Sequence, residues 1–165
     1  MTTIESRTDE LLIAHLLRRA GFGGTATELR DYSNLSYEDV VDKLLNAVDS
    51  TSIPQDVIRR YHIDQSDLRT RGSSSGNWLY QMVTTDAPFI EKVNLFWHRV
   101  FATGQTKLIQ GKAMETHLAM LRKFGLGKFD DLLLNLSKDP AMILWLDNQD
   151  NHKASINENY GREIL

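Results

Sequence analysis

The sequence predicts an all-α protein: a globular cluster of about eight short helices with short loops and no sheet. Three observations lead there. The apolar segments repeat at helical spacing rather than alternating. Nearly every such segment opens on a capping residue or a first-turn proline. No stretch combines period-two alternation with hairpin punctuation. Heptads do not persist, so crossing helices are expected rather than a long parallel bundle.

The elements follow in order. Thr8 precedes Asp9 and Glu10, then Leu12, Leu16 and Ala20 recur on one face, and Gly21 and Gly23 close that helix. Thr25 with Glu28 has capping-box spacing, as has Ser36 with Asp39. The second box opens an apolar stripe of Val40, Val41, Leu44, Leu45 and Val48, with Leu35 placed to staple its start. Pro54 occupies a first-turn position ahead of a short helical segment. Gly72, Ser73, Ser74, Ser75 and Gly76 make the stretch near 64–76 read as a flexible loop within one domain spanning 1–165. A short helix is expected over 78–85. Asp86 is placed to cap the next, which Gly104 ends. A helix starting near Lys112 stops at Gly125 and Gly127, and another follows from Lys128. Asp139-Pro140 starts the next in the cap-then-proline pattern. A polar loop leads into a last helix near Asn157, where Glu158 and Arg162 stand four apart.

Composition bounds the function. The chain has 165 residues, 41% of them hydrophobic, with 19 basic against 22 acidic side chains. No apolar run approaches the ~18–20 residues of a membrane span. Cysteine is absent, which removes disulfides, thiolate zinc sites and cysteine nucleophiles. A net charge of −3 leaves no electrostatic footprint for nucleic acid, so no nucleic-acid partner is expected. The polar, acidic N-terminus lacks the basic and apolar regions of a signal peptide, as in a cytoplasmic protein or a chain cut after its leader. The chain stops on Ile164-Leu165, inside a helix without a C-cap. The expectation is therefore the N-terminal portion of a longer protein, with the missing C-terminal part as a partner. By the same argument Phe96 and Trp97 are expected to pack against that part.

Candidate chemistry is sparse. In the helix from Ala87 to Ala102, Phe89, Val93, Phe96, Trp97 and Val100 share one face, while Glu91, Asn94 and His98 fall together on the other. That polar stripe reads as the solvated face of an amphipathic helix, with a ligand set or acid–base pair as the sharper alternative. Ile90, Leu95 and Phe101 widen the apolar arc and would partly enclose His98. His15 and His117 stand singly on helices, the usual place of a hydrogen-bonded packing histidine, and His62 and His152 read as surface. No HExxH or HxxxH pair is present, no GxSxG elbow, and Gly21 to Gly24 lack the strand and lysine of a phosphate loop. The segment from Asp147 to Glu163 is rich in Asp, Asn and Glu. Such oxygens suit calcium or magnesium, but the spacing is not that of an EF-hand, and turn and cap roles are the preferred reading.

Four motifs in this order, around His15–Gly23, Leu95–Gly104, Lys128–Asn148 and Asn157–Leu165, resemble an uncharacterised bacterial family catalogued as domain of unknown function eighteen-hundred. The resemblance covers nearly the whole chain and implies a longer protein. It also implies frequent export and genes beside sulfatase-like proteins. Many members carry a second histidine at the position of Val100, so a two-histidine site on that helix is not available here. No activity comes with the resemblance. Two readings remain open. One is an enzyme, hydrolytic or metal-assisted, in which His98, Glu158 and Glu163 line a polar pocket closed by Trp97, with the metal unspecified. The other is a non-catalytic helical module in which Trp78, Trp97 and Trp145 are core anchors.

Overall fold

Thr25 accepts the Glu28 backbone N–H at 3.2 Å while the Glu28 carboxylate takes the Thr25 N–H at 2.7 Å. This reciprocal cap opens one of nine α-helices among the described residues of the computed structural model. Described are residues 2–47, 57, 60, 61, 69, 72–108 and 110–164, with side chains from Asp9 onward. No strand occurs among them; His152 and Ser155 form an isolated antiparallel bridge. The all-α expectation is met. No described helix is long and apolar enough to cross a membrane.

The chain divides into two compact units, Met1–Ser52 with Gln81–Lys92, and Ile53–Tyr80 with Val93–Leu165. In the first, α1 (Thr2–Ala20), α2 (Ala26–Tyr32) and α3 (Tyr37–Leu45) surround Ile13, Leu17, Val40 and Leu44. α1 begins before the expected Thr8 cap and ends at Ala20; beyond it Gly23 donates its N–H back to Leu17 O at 3.2 Å with a φ of +104°, a conformation glycine adopts freely. Ser36 caps α3 by accepting the Asp39 N–H at 3.1 Å. The Pro54 segment lies outside the described residues.

The second unit contains most of the candidate chemistry. α4 (Ser73–Thr84) starts earlier than the sequence reading allows: Ser73 to Gly76, expected in the flexible loop, are helical. Tertiary contacts override the local turn signal. Ser73 and Ser74 are buried, and the Gln105 amide donates to the hydroxyls of Ser74 at 2.5 Å and Ser75 at 3.0 Å. Of the rest of that stretch, residues 64–68, 70 and 71 lie outside the described residues.

α5 (Pro88–Val100) enters the second unit at Val93. α6 (Gly111–Phe124), α7 (Phe129–Leu136) and α8 (Pro140–Trp145) pack Phe101, Leu121, Leu132, Leu136, Met142 and Leu146 into its main core. Trp97 stacks on Phe101 with ring centroids 5.4 Å apart and donates its indole N–H to Gly125 O at 2.7 Å. A Cβ at residue 104 would lie 2.7 Å from the Trp145 ring, so glycine there allows close packing. A 3-10 turn (Asn148–Asp150) and α9 (Asn159–Ile164) complete the chain, with Tyr160 and Ile164 against the same core.

Candidate functional site

The two faces of α5 contradict the amphipathic reading of its sequence. Glu91 and Asn94 have no solvent exposure, whereas Phe96 is 56% and Val100 50% exposed. The polar stripe is therefore not the solvated face. Burying polar groups is costly unless they find partners, and neither amide atom of Asn94 has a hydrogen-bond partner among the described residues.

His98 lies one turn beyond Asn94 and is half-buried. Its ring meets Trp78 of α4 edge-on, centroids 5.1 Å apart and planes perpendicular. On another side it meets His117 of α6 at 5.6 Å. Burial, and then the neighbouring His117, push the His98 pKa down to about 4. The imidazole is therefore neutral at neutral pH. Its Nδ1 is buried with no hydrogen-bond partner among the described residues.

His117 follows Met114 by three and precedes Leu121 by four, so helical periodicity puts it on the buried stripe of α6. It is fully buried, and its Nδ1 lies 3.0 Å from Asp139 Oδ1. The carboxylate accepts, so Nδ1 carries a proton, and whenever the ring is neutral its electron pair lies on Nε2. Asp139 has a second duty. The same Oδ1 accepts the Met142 N–H at 2.9 Å and caps α8, with Pro140 in the first turn. A helix cap thereby becomes the fixed acceptor that sets the His117 tautomer. His117 Nε2, Asp139 Oδ2 and both amide atoms of Asn94 are buried without hydrogen-bond partners among the described residues. Each such group costs about 1–3 kcal/mol if left so.

A cavity of about 200 Å³ opens beside His98, lined also by Ser75, Trp78, Gln105, Met114 and Leu118. Among the described residues, its wall carries no Lys, Arg, Asp or Glu. No three His, Asp or Glu side chains gather into a metal-binding group among the described residues.

One family profile matches residues 15–165, a span that includes His98, His117 and Asp139. The chain belongs to the family described as protein of unknown function (DUF1800). No curated protein and no solved structure matches it. Within this DUF1800 chain, Val100 is half exposed and does not line the cavity, and the imidazole that meets His98 is that of His117 on α6.

The carboxylates singled out with His98 lie elsewhere. The Glu158 side chain is 79% exposed and meets Arg162 at 3.6 Å. Glu163 is exposed too, and neither lines the cavity. The acidic partner in this cluster is Asp139, reached through His117. It looked like a cap, which it also is. The signal that could have found the pair was a histidine at a core position of the α6 stripe. The polar segment after Trp145 serves turns and caps: Asn157 donates its amide to Leu146 O at 3.0 Å and Asp147 O at 3.1 Å, and Asn159 donates to Leu146 O at 3.3 Å. Lys107 holds Asp147 at 2.8 Å. His15 and His152 are exposed, as expected for His152, and His62 lies outside the described residues.

Proposed function

We propose that the chain is a hydrolase whose reaction centre is the polar cluster of His98 and His117 beside the cavity. The observation that carries this is the buried Asp139–His117 pair, in which His117 Nε2 is left without a hydrogen-bond partner among the described residues. Hydrolysis needs a water made nucleophilic next to an electrophilic carbonyl or ester. His117 supplies the electron pair that activates it, either on the water's proton or through an ion that acidifies the water. Asp139 is a positioning residue that fixes the ring and stabilises any positive charge gathering on it. His98, neutral and between this pair and the cavity, hydrogen-bonds the substrate or the departing group. A cavity wall without charged side chains among the described residues favours an uncharged acyl, ester or amide group over a phosphate. Glu158 and Glu163 carry no step.

A screen of chromogenic acyl esters, anilides and phosphate esters at pH 7–8 tests the reading. Turnover of esters or anilides, lost in His117→Asn and reduced in Asp139→Asn with folding intact, supports it. Absence of turnover across the panel, or turnover unchanged in His117→Asn, refutes it. The second reading, a non-catalytic helical module, draws on the capping duty of Asp139. It predicts that these two variants alter stability alone.

A further inference from the structure

We propose that His98 and His117, with the Asn94 side-chain oxygen, hold one divalent first-row transition-metal ion. The inference deepens the hydrolase reading by naming the cofactor of the same cluster. It starts from the unpartnered atoms. His117 Nε2, His98 Nδ1 and Asn94 Oδ1 are all buried without hydrogen-bond partners among the described residues, and each can present an electron pair when it carries no proton. A neutral imidazole nitrogen of this kind is the commonest metal ligand in proteins.

The ring separation agrees. With Zn–N bonds of about 2.0–2.1 Å and a tetrahedral angle, two imidazoles on one zinc have centroids about 5–5.5 Å apart. Here the separation is 5.6 Å, with the rings turned 64° to each other rather than stacked. The partner shell agrees as well. A ligating histidine usually donates its other ring N–H to a carboxylate, which fixes the tautomer and raises ligand basicity. His117 does so to Asp139, buried to within 1% of its side-chain area. Asn94 precedes His98 by four residues, so both project from one face of α5. Both Asn94 amide atoms lack hydrogen-bond partners among the described residues, and its oxygen supplies the third donor.

Imidazole selects zinc, cobalt, nickel or copper over calcium and magnesium. Three protein donors leave the fourth position for water, the arrangement of catalytic rather than structural zinc. The cavity wall reaches His98, which gives that water a route to substrate. Two of the donors come from α5 and one from α6, an arrangement in which no two histidines share a helix. That explains why neither HExxH nor HxxxH is needed.

The test uses the protein stripped with chelator and titrated with zinc, then cobalt, by calorimetry and visible absorption. The expected result is one ion per chain, with the intense d–d bands of four-coordinate cobalt. His98→Asn and His117→Asn each abolish those bands, and Asp139→Asn weakens affinity about 10- to 100-fold. Far-ultraviolet spectra establish that each variant is folded. Should a variant fail to fold, the wild-type cobalt bands and histidine ¹⁵N shifts on zinc binding decide. No saturable binding, octahedral cobalt bands, or bands unchanged in both histidine variants overturn the proposal. A hydrolytic activity that survives chelation and depends on His117 would overturn the metal and leave the hydrolase. Metal bound at the two histidines without any turnover of the panel would do the reverse.

Discussion

Replacing Asp139 separates its two duties, because alanine and asparagine remove different parts of them. In the wild type one oxygen takes the Met142 N–H at 2.9 Å and the His117 ring at 3.0 Å, at a position with almost no exposure. Asp139→Ala removes the N-cap, worth about 1 kcal/mol. It also leaves the His117 Nδ1–H buried without an acceptor, costing about 1–3 kcal/mol more. The sum is about 2–4 kcal/mol. Asparagine is as good a cap as aspartate, and its oxygen still accepts both N–H groups. What Asp139→Asn loses is the charge on the acceptor, about 1 kcal/mol. For a chain of this size 1 kcal/mol moves the melting temperature by about 2–4 °C, so alanine should lower it by about 5–15 °C and asparagine by about 2–4 °C. Thermal melts at pH 7 with chelator present measure both without contribution from bound metal. A ¹⁵N spectrum should find His117 held in the Nδ1–H tautomer in the wild type and in both tautomers in the alanine variant. Equal losses for the two variants, or a loss below about 1 kcal/mol for alanine, would refute the double role argued from this oxygen.

Other expectations are more local. Gly104→Ala brings a methyl group within 2.7 Å of the Trp145 ring and should cost about 1–3 kcal/mol, read as a lowered denaturation midpoint; a neutral result would mean that Trp145 moves freely. Asn94→Leu removes two buried polar atoms that have no hydrogen-bond partner among the described residues and should leave the metal-free protein as stable or up to about 1–3 kcal/mol more stable, while weakening cobalt binding. A large destabilisation in chelator would show that the amide is hydrogen-bonded. The Glu28 carboxyl is held below its ordinary 4.5, first by the Thr25 backbone N–H and then by the Thr25 hydroxyl. Its contribution to stability is therefore present above pH 4.5 and lost as pH falls through the lower folded value. In Thr25→Ala an NMR titration of Glu28 should move up towards the ordinary value, and an unmoved titration would count against the hydroxyl's part. Arg162→Ala should cost no more than about 0.5 kcal/mol, because the pair with Glu158 is exposed on both sides; a loss of several kcal/mol would place it in the core.

The helices and their starts were legible because the interactions that make them are local. Thr25, Ser36 and Asp139 each satisfy an N–H three residues on, a distance that the chain order itself sets. The family, too, was legible, since its motifs lie along the chain in order. Which face of a helix is buried is another matter. Amphipathic pattern predicts it only when one core claims one apolar stripe. In α5 the apolar face was split, with Trp97 packed against the core and Phe96 56% exposed, and Glu91 and Asn94 were enclosed. Ser73 and Ser74 became helical because the amide of Gln105 reaches the first turn from 31 residues away. Glu158 and Glu163 looked promising by composition, yet burial decides whether a carboxylate can tune a histidine, and both are exposed. The pairing of His117 with Asp139 spans 22 residues and two helices. Sequence determined that a histidine sits on the α6 stripe and an aspartate caps α8. Tertiary packing alone decided that they meet, because an N–H three residues away is within reach in any folded context, whereas an acceptor on another helix is within reach only once the core has set where both helices lie.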